Sequence, residues 1–115
     1  MLDRDSICRC RSASRSLQQM LPVLQGLRSK TKLKAKGDES YRKFELEITK
    51  MCDELGKFVD DKCGDTLAEA ESYSISSPVA DILRLGQLVE ATTRCAEHHL
   101  AGAKLAKSRF TGLLA

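Results

Sequence analysis

"PVADILRLGQLVEATTRCAEHHLAGAKLAKSRFTGLL", residues 78–114, decides how this chain folds. Ile82, Leu85, Val89, Thr92, Ala96, His99, Ala103, Ala106, Phe110 and Leu113 recur every three or four positions. That spacing stacks side chains along one face of a helix, and a stripe held this long predicts one helix over about 78–112, ~50 Å in length. Ser77 suits the N-cap, and Pro78 suits the first helical position, where its missing N–H has no partner to lose. A helix this long needs cover, and the residues that precede it supply part of it.

Two amphipathic segments supply that cover. Cys10, Ala13, Leu17, Met20, Leu24 and Leu27 share the same spacing, widened by Leu21, and predict a helix over 4–28. Pro22 falls on the opposite face, so any kink and freed carbonyl point to water. Tyr41, Phe44, Ile48, Met51, Leu55 and Phe58 begin a second stripe, which drifts to Val59, Cys63, Leu67 and Ala70. Such drift arises when 3.6 residues per turn is laid over a seven-residue repeat. It predicts one nearly straight helix over 39–71, capped by Asp38, Glu39 or Ser40 and weakest at Gly64. The expected fold is therefore all-α: an elongated antiparallel three-helix bundle filling a single domain, 1–115, with connections at 29–38 and 72–77.

Composition agrees. The chain is 42% apolar and 30% charged, and it lacks the run of ~20 apolar residues that a membrane span needs. Two prolines and no tryptophan argue against a β-sandwich. Five cysteines, an odd number, with no apolar leader before them predict a reducing, intracellular and specifically cytoplasmic setting. "SICRCRSASRSLQQ", residues 6–19, has the basic, acid-free composition of a mitochondrial transit peptide, but Asp3 and Asp5 stand in front of it and disfavour that address.

The net charge of +3 conceals blocks. Residues 1–37 hold nine Lys or Arg against two acids, whereas residues 38–77 hold five against eleven. Within the first block, Lys30, Lys32, Lys34 and Lys36 alternate with other residues between two amphipathic helices, which predicts a solvated loop. Its functional alternative is a patch made by Arg28 and these four lysines, taking nucleic acid or an acidic membrane surface. No aromatic residue is interleaved to stack on bases.

Chemistry-bearing motifs are few. Cys95, His98 and His99 lie at i, i+3 and i+4 and form a weak metal candidate, to which Cys52 or Cys63 would add a fourth ligand. The plainer reading packs Cys95 and His99 in the seam and leaves His98 in water, with no metal or other cofactor. No GxSxG, HExxH, CxxC or Gly-rich phosphate loop is present, so no enzyme is expected. Cys8 and Cys10 have arginine neighbours that favour redox or acyl chemistry, but as small apolar residues on a first turn they need neither.

The expected function follows from coverage. Leu83, Leu88, Leu100, Leu105 and Leu114 fall off the main stripe of the third helix, and two single-striped helices cannot cover all of them. They predict a non-enzymatic interaction subunit or adaptor that associates with itself or with a helical protein through that helix.

Overall fold

The computed structural model describes residues 2–73 and 78–115. Helix α1 spans Arg4–Gly37, a single 3-10 turn spans Glu39–Tyr41, and α2 spans Arg42–Lys57. A π-helical turn, Phe58–Cys63, joins α2 to α3, Gly64–Ser72, and α4 spans Val79–Leu114. No strand occurs among the described residues. Since α2, the π turn and α3 form one continuous helical path, the molecule is an all-α three-helix bundle, 61 × 18 × 16 Å. No helix among the described residues is long and apolar enough to cross a membrane.

Ion pairs fix the directions. Arg11 meets Glu71 at 2.6 Å and Arg84 meets Glu69 at 2.7 Å at one end of the rod, while Arg109 meets Glu47 toward the other. Helix α2–α3 therefore runs antiparallel to both α1 and α4, and α1 and α4 run parallel. The stripes read from the sequence line the seam: Leu17, Leu24, Ile48, Leu85, Val89, Ala96 and Phe110 are fully buried. Every position of the α4 stripe is buried or half-buried.

Three boundaries differ from expectation. The first helix ends at Gly37, not near 28, so the lysine strip is helix and not a loop. The reason lies between the lysines: Thr31 and Ala35 continue the stripe from Leu27 at i+4 spacing and are buried, and the Thr31 hydroxyl donates to the Leu27 carbonyl at 2.7 Å. Asp38 then ends α1 in an extended conformation and caps the next turn, accepting from the Ser40 N–H at 3.0 Å.

The second helix is irregular at Phe58–Cys63 rather than at Gly64. Its π turn advances the phase, so that Val59, Cys63, Thr66 and Ala70 are all buried. Pro78 stands one position outside α4, as its N-cap, with its carbonyl accepting from Asp81 and Ile82 at 3.1 Å. The expected Ser77 cap and most of the 72–77 connection lie outside the described residues; Ser72 closes α3 and Tyr73 is extended.

Candidate functional site

Of the five leucines expected to seek a partner, the bundle takes up three. Leu88 and Leu100 are half-buried against the two core clusters, and Leu114 is half-buried at the end of α4. Leu83, at 48%, and Leu105, at 74%, remain exposed. They share the outer face of α4 but are separated by about six helical turns, and the Arg94–Glu90 ion pair at 2.6 Å lies between them. The outer face of α4 is thus interrupted by charge, and the coverage deficit inferred from the sequence is smaller than it looked.

The lysines gain definition from becoming helical. Successive alternate residues on a helix point 200° apart, so Lys30 and Lys34 take one flank of α1 while Lys32 and Lys36 take the other. The second flank meets α2: Arg28 and Lys32 line a groove with Glu45 and Thr49. The first flank continues the row Ser16, Met20, Val23, which forms a groove of about 220 Å³ with Leu100 and Lys104 of α4. Lys107, three residues beyond Lys104, extends the α4 side of it. Neither wall carries an acid here, since α1 has none after Asp5 and α4 has none after Glu97.

The fold therefore gathers charge along its axis. Residues 28–50 and 104–115, which share one end, hold eleven Lys or Arg against four acids, while the rest hold eight against twelve. Some of this basic end is internally paired. Glu47 accepts from Arg109, and that hydrogen bond holds its carboxyl below the usual value. Arg109 also lies over the rings of Phe44 and Phe110, at 5.7 and 5.3 Å. Lys34 sits 5.5 Å from the centre of the Tyr41 ring.

The metal candidate separates. His98 and Cys95 are exposed, whereas His99 is half-buried with its ring 4.6 Å from that of Phe58. Among the described residues no three His, Cys, Asp or Glu side chains are placed to hold one metal ion. Cys95 thus lies outside the seam in which the sequence reading put it. Cys8 is exposed, while Cys10 is fully buried one helical step into the core.

A wider opening, about 590 Å³, lies at the acidic end between Leu2, Ile7, Tyr73 and Ile82, with both signs of charge at its rim in Asp3, Arg4, Arg11 and Glu71. It offers no electrostatic preference. The groove between α1 and α4 was missed by sequence reasoning because its walls, Ser16 to Val23 and Leu100 to Lys104, are at least 77 residues apart in the chain. The signal available was the absence of acid from both walls. Comparison with family models, with curated proteins and with solved structures found no match.

Proposed function

We propose that this chain is a non-enzymatic interaction module that receives an acidic amphipathic helix of a partner protein in the groove between α1 and α4. The observation that carries this reading is the composition of the groove: an apolar floor of Met20, Val23 and Leu100 with Lys104 at its rim, Lys30 farther along the same flank of α1, Lys107 farther along α4, and Glu97, the last acid of α4, paired with Arg9. A helix laid there completes a fourth position in the bundle, with its apolar stripe on the floor and its carboxylates toward the lysines. The third helix of the chain still supplies half of the surface, but through its α1-facing edge rather than through Leu83 and Leu105.

Placing a photo-crosslinking side chain at Val23 tests this directly. The expected product is a covalent peptide adduct rich in Asp and Glu at helical spacing, with capture reduced at least tenfold by Lys30→Glu with Lys104→Glu. A second reading keeps the polyanion patch of Arg28 and Lys30, Lys32, Lys34 and Lys36, and is favoured by Leu33, 67% exposed in the midst of those lysines. In that case the crosslinked species is nucleic acid or lipid, and binding falls steeply with salt.

A further inference from the structure

Helix α4 and the α2–α3 path hold two cysteines at the same level. Two contacts set the antiparallel register: the Phe58 and His99 rings, 4.6 Å apart, and the buried Thr66 and Thr92 hydroxyls, 3.2 Å apart. Cys63 and Cys95 fall between them. Each is three residues from its threonine, Cys63 before Thr66 and Cys95 after Thr92. Toward the aromatic pair the count is unequal, five residues from Phe58 to Cys63 against four from Cys95 to His99. The π turn at Phe58–Cys63 absorbs the extra residue, because its hydrogen bonds span one residue more than those of an α-helix. It thereby brings Cys63 level with Cys95.

The two thiols differ in access. Cys63 is fully buried and Cys95 is exposed on the adjoining edge of α4. Burial pushes the Cys63 thiol up, a hydrogen bond from the Ser14 side chain draws it down, and the nearby thiols of Cys10 and Cys95 raise it again. A thiol so placed is protected from oxidants in solution, whereas its neighbour is open to them.

We infer that Cys63 and Cys95 form an oxidisable pair, in which peroxide reacts at Cys95 and Cys63 resolves the product as a disulfide between the π turn and α4. Hydrogen peroxide converts the Cys95 thiol to a sulfenic acid and leaves as water. The Cys63 sulfur then attacks the Cys95 sulfur, the S–O bond breaks, and a second water departs with the Cys63 proton. The two thiols are oxidised by two electrons and the peroxide is reduced to two waters. Cys95 is the entry point, and the bond joins two helical segments already packed together.

The test treats the folded full-length chain with hydrogen peroxide, then counts free thiols after unfolding and weighs the intact protein. The five thiols of the reduced chain fall to three, with a mass loss of ~2 Da and a peptide linking residues 63 and 95. Cys95→Ser, at an exposed position, keeps all its remaining thiols under the same treatment, while Cys10→Ser still loses two. In Cys63→Ser the sulfenic acid at Cys95 persists and is trapped by a 1,3-dione probe. Loss of two thiols in Cys95→Ser, a link from Cys8 or Cys10 in place of Cys63, or a gain of ~32 Da at Cys95 in the otherwise unmodified chain with Cys63 still free overturns the pairing.

Discussion

Phe110 is the largest side chain that the bundle removes completely from water. Truncation to alanine is expected to cost ~3–5 kcal/mol, whereas Phe44 and Phe58, which are only half-buried, should cost about half of that. Urea midpoints of the three variants order them. The threonine pair offers a cleaner contrast. Thr66→Val leaves the buried Thr92 hydroxyl without a partner and should cost ~1–3 kcal/mol, while Thr66→Val with Thr92→Val removes both polar groups and should recover most of the loss. At the surface, Glu47 is held below its usual 4.5 by the hydrogen bond from Arg109. Because the folded carboxyl titrates lower than the unfolded one, its contribution is complete above that value and fades as pH falls through the folded one. The pair is exposed, so its loss in Glu47→Gln should stay below ~1 kcal/mol and vanish in acid. At this scale the sequence was most informative, because burial every third or fourth residue marked Leu17, Leu24, Ile48, Leu85 and Phe110 without reference to any partner helix.

Elements were legible where large apolar residues carried the stripe and lost where small ones did. Thr31 and Ala35 continue the Leu24 row, yet lysines on both sides gave that stretch the composition of a loop. Lysine is in fact a good helix former, and the first glycine after Gly26 is Gly37. Lys32→Pro discriminates the two descriptions: within a helix it costs ~3 kcal/mol or more, within a loop almost nothing. The drift after Phe58 was likewise visible, but a straight helix and a π turn both rephase a stripe, and local sequence alone does not separate them. Deleting Asp60, exposed inside that turn, should restore ordinary α geometry at a cost below ~1.5 kcal/mol, whereas deleting Glu54 rotates the packed face of α2 relative to α3 and should unfold the chain. Circular dichroism with thermal melting reads both outcomes.

The whole molecule was legible as an elongated bundle, since three long stripes in one domain allow little else. Its Cα radius of gyration, 17.6 Å, exceeds the ~13 Å of a compact domain of this length. Solution scattering should therefore show a rod, and an elongated dimer sharing the groove would be distinguished by a doubled forward intensity. What the sequence could not display was the meeting of distant segments. The groove between α1 and α4, and the facing of Cys63 and Cys95, depend on which helices run parallel and in what register.

One consequence of the long first helix concerns its own electrostatics. Aligned peptide dipoles leave about half a negative charge on the final carbonyls of α1, and Lys34 and Lys36 lie in that last turn. They neutralise the end of the helix that carries them, each contributing ~0.3–1 kcal/mol at low ionic strength. Lys30 and Lys104 lie well away from either helix terminus and have no such duty. Reversing charge at Lys34 therefore loosens the last turn as well as its flank of the groove, reversal at Lys36 loosens the last turn alone, and reversal at Lys30 or Lys104 changes the groove alone. The two effects separate in the melting of the free chain, which reversal at Lys34 lowers at low ionic strength and reversal at Lys30 or Lys104 leaves unchanged.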